Sequence, residues 1–396
     1  MKTVKRGDSI KREIQRIASA LLLCLSLALS LGVCEIMTSV SQNDYRYWET
    51  IKWTFDVEKG TEKEGGAEKQ QETETGTGTE EEEAEEKKDF IRWVDFTPTK
   101  EALQTAYEWD KETWAEQIHI DWISLLAYGA AKGGGKFDKK VISQMNDFAN
   151  AIRAGEKTME EAEELKTFSY YKEIYTAVLG GMVGSYRIEV PGTDGNVTWQ
   201  ECYGLKAFSP IAKGFYYNDY DDFGAGRSYG YKRRHLGHDM LGQIGTPIIA
   251  VESGYVEAIG WNQYGGWRIG IRSLDKKRYY YYAHLRQDAP YAEGLAEGDL
   301  VTAGDVIGYM GHTGYSVSEN VNNIDAIHLH LGIEIMFDES QKDSDNEIWI
   351  DCYELTKFLY RNQGAVEKEE GTKEWKRVYD MEDPALTSFL ETPAGS

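Results

Sequence analysis

Cysteine is scarce, at four residues in 396, and no two stand in a Cys-x-x-Cys spacing. That excludes both a disulfide-framework miniprotein and a thiolate zinc site. Positive charge is short as well: 44 Lys and Arg face 67 Asp and Glu, for a formal net charge of −23. A nucleic-acid binder must neutralise phosphates with Lys and Arg, so that class is excluded and no nucleic acid is expected as a partner. No fixed-period repeat is present. What the chain does hold is 41% hydrophobic and 12% aromatic residues over a length suited to two or three domains. Such a chain can bury a real core and is too apolar to be wholly disordered. Histidine is sparse at seven residues, yet four of them fall in two close pairs, His235/His238 and His328/His330.

The N-terminus reads as an address. Residues 1–16 carry six bases against two acids, the pattern of a basic cytoplasmic tail. An uncharged run without proline follows from Ile17 to Cys34, within a segment 17–38 that reads as a signal-anchor helix or signal peptide. Ala28-Leu29-Ser30 offers a small-x-small cleavage site, but apolar residues continue through Ile36 and Met37, which favours an uncleaved anchor. Cys34 follows Val33 rather than a small residue, against lipoprotein processing. The expected location is the cell membrane, single-pass, with the C-terminal part outside the cytoplasm. Secretion after cleavage near Ser30 is the alternative. Residues 58–89, with 13 acids and 5 bases, form an acidic low-complexity linker that cannot bury enough surface to offset its ordering entropy.

The remainder predicts an α+β chain. Residues 97–190 read as a helical region. Leu103, Tyr107, Trp114, Ile118, Trp122, Leu125 and Tyr128 recur at helical spacing until Gly133-Gly134-Gly135, Asp138 caps a second helix, and Thr158-x-x-Glu161 opens a third. His119 falls within the first helix, where no partner at helical spacing marks it as a ligand. After Pro191 short β-type runs alternate with glycine turns, at Thr246–Val251, Tyr255–Ile259, Trp267–Ile271, Tyr279–His284, Leu300–Val301, Val306–Met310 and His328–Met336. That spacing predicts antiparallel sheets or a sandwich, in a domain spanning 200–360. The acidic tail, 365–396, reads as an appendage.

His235-Leu-Gly-His-Asp239 sets an imidazole and a carboxylate four residues apart around a glycine, and Ile-His328-Leu-His330-Leu reads as a strand. Residues i and i+2 of a strand project to one face, so His328 and His330 point together. Imidazole and carboxylate suit Zn²⁺, whose catalytic sites take three protein ligands and leave a fourth position open. His235, Asp239 and one histidine of the later pair supply such a set, and the spare histidine then stands beside the open position. His328-x-His330-x3-Glu334 also matches cupin ligand spacing, but that pattern's surrounding glycines and later histidine are missing.

Four ordered blocks carry a family resemblance: HLGHDMLGQIGTPIIAVESGYVEAIG, YYYYAHL, GDLVTAGDVIGYMGHTGYS and HLHLGIEI. Over roughly 205–350 the chain resembles the lysostaphin/LytM-type zinc endopeptidases of cell-wall peptidoglycan. The resemblance implies zinc ligation by His235, Asp239 and His330, catalysis by His284 and His328, a β-sandwich-like core with the metal in a groove, and peptidoglycan as substrate. It implies that His284 and His328 share the roles of general base and of oxyanion stabiliser or proton donor.

Three departures from the family stand out. His238 replaces an aliphatic residue and is expected to be structural. His312 is expected at the groove edge. The link from Val317 to Ile327 is long, which would alter the peptide that fits. Between Lys232 and Arg286 nine bases outnumber four acids, so Arg233 or Arg234 is a candidate for meeting stem-peptide carboxylates, against ordinary surface solvation. The Tyr279–Tyr282 run is expected to be strand packing, and Cys202 and Cys352 either form a disulfide or are free. The reading is a membrane-anchored, wall-facing zinc endopeptidase. Its rival is a catalytically silent adaptor with the same fold, which loss of a ligand would have signalled. The helical region is expected to dock a protein partner or to cover the groove.

Overall fold

The structure, a computed structural model, describes residues 94–192, 196–229, 231–342 and 347–391. The basic tail at 1–16, the apolar segment at 17–38 and the acidic linker at 58–89 lie outside these residues. Among the described residues no helix is long and apolar enough to cross a membrane.

Five helices come first: α1 (Lys100–Thr113), α2 (Trp122–Gly133), α3 (Lys139–Arg153), the one-turn α4 (Glu160–Glu163) and α5 (Phe168–Leu179). Side-chain oxygens of Thr99, Asp121 and Asp138 accept backbone N–H groups of the first turns of α1, α2 and α3, satisfying donors that have no intrahelical partner. The stripe expected to form one long helix is divided between α1 and α2, because Asp121 accepts Ser124 N–H at 2.7 Å and starts a helix afresh. His119 therefore lies in the connection, with Nε2 3.1 Å from Asp110 Oδ1. Thr158-x-x-Glu161 yields only α4, which begins without a side-chain cap. Gly134, at φ 59°, closes α2 in the left-handed conformation that glycine adopts at no steric cost.

The helices end at Leu179, short of the expected limit at 190. Strands β1 (Val183–Pro191) and β2 (Val197–Leu205) follow as a hairpin. Next come β3 (Asn218–Asp219), β4 (Gly226–Tyr229), β5 (Tyr231–Arg234), β6 (His238–Leu241), β7 (Pro247–Ile249), β8 (Gly254–Asn262), β9 (Gly266–Ser273), β10 (Arg278–Ala283), β11 (Leu300–Val301), β12 (Val306–Tyr309), β13 (His328–Ile335) and β14 (Ile348–Trp349). Eight of them form one antiparallel sheet in the order β11-β8-β9-β10-β13-β6-β3, with β14 also pairing β13, and β7 and β12 make a separate two-stranded pair. The strands expected from 246 onward all occur, within a few residues of their expected limits. The layout is one large sheet with smaller ribbons.

The large sheet has two unlike faces. On β10, Tyr280 and Tyr282 are wholly buried, whereas Tyr279 and Tyr281 line an open cleft, so only half of the tyrosine run is core packing. The buried side chains of the helices and of the sheet belong to one continuous core. Arg278 ties the two together. Its Nε and Nη2 donate to Glu252 at 2.8 and 2.9 Å, and its Nη1 donates to the Ala177 carbonyl near the end of α5 at 2.7 Å.

The segment after Gly364 is no appendage. Helix α6 (Tyr353–Leu359) precedes strands β15 (Val366–Lys368), β16 (Trp375–Arg377) and β17 (Met381–Glu382) and helix α7 (Pro384–Glu391). Met381 pairs with Ile188 of β1, and the buried Asp383 accepts from Lys206 Nζ at 2.7 Å. Cys202 and Cys352 are free thiols, and Cys352 is buried with Sγ 3.6 Å from the Leu331 carbonyl.

Candidate metal centre and active-site cleft

Strand register assembles the site. β13 lies between β10 and β6, so His330 pairs with Asp239 on one side and with Ala283 on the other. Residues directly opposite on antiparallel strands share a face, which puts Asp239 and His330 together on the cleft side. His235 enters from the turn before β6. Its Nε2 lies 2.9 Å from Asp239 Oδ1 and 3.0 Å from His330 Nδ1, and His330 Nδ1 lies 2.9 Å from the same carboxylate oxygen. This is the one group of three such donors among the described residues that converges as a metal site does. Ligands about 2.0–2.1 Å from a tetrahedral zinc are about 3.3 Å apart, so the triangle matches one face of such a site to within a few tenths of an ångström.

Burial and charge act against each other across the cluster. His235 Nδ1 is on the Asp222 side, 3.4 Å from its backbone carbonyl oxygen and 2.9 Å from Oδ1, and Nε2 faces Asp239 and His330. Burial disfavours the charged form of His235, yet Asp222 and Asp239 outweigh it and hold the pKa up to about 9. Asp239 shows the converse. Burial works to raise its pKa, but hydrogen bonds from His235 and His330 hold it well below the usual carboxylate range. Burial lowers the pKa of His330, leaving its nitrogen a lone-pair donor.

Two partners of this cluster have no signal in the sequence. Asp222 stands 13 residues before His235 in no recognisable spacing, and Arg227 Nη2 bridges Asp222 Oδ2 at 2.5 Å and Asp239 Oδ2 at 3.4 Å. Such partners orient ligands and typically contribute 10- to 100-fold in metal affinity. Asp222→Ala is expected to weaken zinc binding by about that factor, measured by competition with a chromophoric chelator.

Gly237 explains the glycine inside the motif. A Cβ there would stand 2.6 Å from His330 Cε1, 2.7 Å from His330 Nε2 and 2.6 Å from the Leu331 carbonyl. Gly237→Ala must displace the His330 ring or the strand that carries it. Misplacement of about 1 Å in a catalytic constellation costs roughly 100-fold, so activity should fall about that far while the circular dichroism spectrum is retained.

The two remaining imidazoles flank the same space. His328 Nδ1 donates to the Ala326 carbonyl at 2.9 Å, and its Nε2 stands 3.7 Å from Asp239 Oδ1. His284 Nδ1 donates to the Thr313 carbonyl at 3.0 Å. A carbonyl only accepts, so Nδ1 of each ring carries the proton and Nε2 presents its lone pair. The ring centroids of His284 and His328 are 4.6 Å apart, and those of His284 and His330 5.9 Å. Burial first, then the neighbouring His328 and His330, depress the His284 pKa well below its ordinary value, so this ring is neutral at pH 7. His284 holds φ 62°, and its backbone is fixed by bonds to Gly265 and Gly311. A non-glycine residue in that conformation is uncommon and stores strain of the order of 1 kcal/mol or more.

The other histidines are elsewhere. His238 alternates with Asp239 along β6 and faces away from the cleft, with Nδ1 2.7 Å from Thr356 Oγ1 and its ring edge-on to Tyr353 of α6. It pins α6 to the sheet, a structural part as expected. His312 is not at the cleft edge: its Nδ1 donates to the Ile324 carbonyl at 2.6 Å, and it lines a separate cavity with Arg286 and Trp375. The long link 317–327 also stands off the cleft. It is held by Asn320, whose Oδ1 accepts from Trp267 Nε1 and Asp288 N, each at 2.9 Å.

The cleft has a volume of about 560 Å³ and is lined only by residues between Arg227 and Trp349. The described helical region therefore does not cover it. Arg233 lies 5.0 Å from the ring centroids of both Tyr264 and Tyr315, which line the cleft with it. Glu334, four residues beyond His330, lines the cleft but takes no part in the three-donor cluster, against a cupin arrangement.

Comparison with known proteins agrees with this geometry. The Peptidase family M23 model matches residues 233–345, the stretch that contributes every histidine and carboxylate of the cluster. The chain carries a Peptidase family M23 domain. The L-Ala–D-Glu endopeptidase of Bacillus subtilis (strain 168) is 39% identical over 111 residues, which are 28% of this chain and 32% of that protein. Lysostaphin of Staphylococcus simulans is 37% identical over 89 residues, 22% of this chain and 17% of its own length. The solved catalytic domain of lysostaphin from Staphylococcus simulans is 33% identical, with 31% of this chain covering 85% of that one at a TM-score of 0.25. The M23 domain thus spans a third or less of these full-length relatives, and the helices, the β1–β2 hairpin and the tail lie outside the matched stretch.

Proposed function

We propose that the chain is a zinc-dependent endopeptidase that hydrolyses peptide bonds of cell-wall peptidoglycan, anchored in the cell membrane by the apolar segment 17–38 and facing the wall. The observation that carries this reading is the convergence of His235 Nε2, Asp239 Oδ1 and His330 Nδ1 with two further imidazoles beside them. The name of the Bacillus subtilis relative, an L-Ala–D-Glu endopeptidase, supports a peptide bond of that material as the target. His235, Asp239 and His330 would hold the zinc, which when bound would supply Lewis acidity for water and a carbonyl oxygen.

The protein's own groups do the rest. His284, neutral and held by Thr313, offers Nε2 as a base toward water at the open side of the cluster. The imidazolium so formed becomes a donor to the oxyanion or to the leaving amine. His328, held by Ala326 in the same tautomer, stands across from it for the complementary role. An adaptor with this fold needs no such constellation, and the clustering of His284 and His328 beside the three donors supports the enzyme reading.

Mass spectrometry of purified peptidoglycan after incubation with the full chain, beside a His330→Ala control, tests the reading. New peptide termini made only by the unaltered protein identify the bond. Absence of cleavage by a zinc-loaded chain would overturn the enzyme reading in favour of the adaptor.

A further inference from the structure

The cleft floor is a sheet face on which aromatic rings sit close against the backbone, because the residues beneath them have no Cβ. A methyl at Gly270 would meet Tyr279 Oη at 1.8 Å, one at Gly265 would meet Tyr281 Oη at 2.0 Å, and one at Gly332 would meet Trp349 Cζ3 at 2.6 Å. Several charges along this floor are already matched. Arg227 bonds Asp222 and Asp239, Arg272 Nε donates to Glu257 at 2.6 Å, and Lys342 pairs with the same glutamate.

Arg268 differs. Its side chain makes no hydrogen bond or ion pair to any described residue, and its Nη1 is buried without a partner. It lines the cleft from β9. Register fixes where. Tyr282 pairs with Ile269, and Leu285 N–H bonds the Trp267 carbonyl, so Arg268 lies beside Ala283, which in turn pairs with His330. His330, Ala283 and Arg268 thus form one row across three strands, and residues in such a row share a face. The small, wholly buried Ala283 is the only residue of that row between His330 and Arg268, and all three line the cleft.

A half-buried guanidinium without a partner costs free energy that an arriving anion relieves, and its forked donors match a carboxylate. Two strand spacings, about 9.6 Å, separate the Arg268 and His330 backbones. An extended peptide covers that span in about three residues.

We propose that Arg268 is a specificity-determining residue that binds a carboxylate of the substrate within about three residues of the scissile bond, so that the cleft selects an acidic stem peptide over an uncharged cross-bridge. This rests on the peptidoglycan endopeptidase reading above. The row of small side chain between imidazole and guanidinium is what reads the distance from bond to carboxylate.

The test uses the zinc-loaded full chain and two synthetic stem peptides containing L-Ala–γ-D-Glu–L-Lys, one with the free α-carboxylate and one with that group as an amide. Binding is followed by calorimetry and cleavage by mass spectrometry. A charge-assisted bond of this kind is worth about 10- to 100-fold, so the acid peptide should bind, and be cut at kcat/KM, better than the amide by about that factor. Arg268→Gln should erase the preference while handling the amide peptide as the unaltered chain does, and Arg268→Lys should restore part of it. Equal handling of the two peptides by the unaltered chain, binding of neither, or a preference that survives in Arg268→Gln would overturn the proposal. Preferential binding that depends on Arg268 without any cleavage would instead sink the endopeptidase reading and leave the carboxylate site standing.

Discussion

His330→Ala should abolish zinc binding and lower peptidoglycan hydrolysis by roughly 1,000-fold or more, the several kcal/mol that a catalytic metal contributes. The substitution removes one corner of a triangle whose sides are 2.9, 3.0 and 2.9 Å, leaving His235 and Asp239 unable to enclose an ion by themselves. It also deprives Asp239 of one of the two imidazoles that compensate its buried charge. Zinc content after dialysis, by atomic emission, is the direct measurement. Thermal unfolding separates loss of metal from loss of fold. A ligand at 100 times its Kd stabilises the native state by about 2.7 kcal/mol, so zinc should raise the Tm of the unaltered chain by about 5–10 °C. It should leave that of His330→Ala unmoved. A variant that keeps stoichiometric zinc would remove His330 from the ligand set.

His284→Asn and His328→Ala should each lower kcat by about 100- to 10,000-fold, the usual worth of a positioned acid or base, while zinc stays bound. Asparagine is the replacement at 284 because it tolerates the left-handed φ of 62°, so that loss of activity is not confused with backbone strain. Both rings are held through Nδ1 by carbonyl groups and neither belongs to the three-donor cluster. The contrast with His330→Ala is therefore in the metal content: full zinc with lost turnover marks a proton-transfer group, lost zinc with lost turnover marks a ligand. Wild-type turnover in either variant would confine catalysis to the other histidine and the metal cluster.

Much of this site was legible because its chemistry is rare in the chain. Two close histidine pairs among seven histidines, one inside a β-type run, point to a metal before any strand is placed. The antiparallel strands from 246 onward were legible too, since glycine turns bound each apolar run. The β1–β2 hairpin escaped notice because its strands are largely half-buried or exposed and lack the clean alternation of a one-sided sheet. The tail looked like an appendage because its eight acids are twice its four bases. Pairing of Met381 and Glu382 with β1, the buried Lys206–Asp383 pair and the Arg286–Glu374 and Arg377–Asp305 bridges bind it in. The break between α1 and α2 turned on one cap, Asp121, inside an otherwise continuous helical stripe.

The sequence by itself determined which histidines and carboxylate come together in the cleft and that His328 and His330 share a strand face, because the two-residue period of a strand and the spacing within a motif are local properties. Asp222 at His235, Arg227 between two carboxylates, the neutral state of His284 and the unmatched charge of Arg268 were decided only by tertiary structure. Each depends on which strands become neighbours and on how far water is excluded from between them. Those are properties of pairing and burial, and no spacing along one chain encodes them.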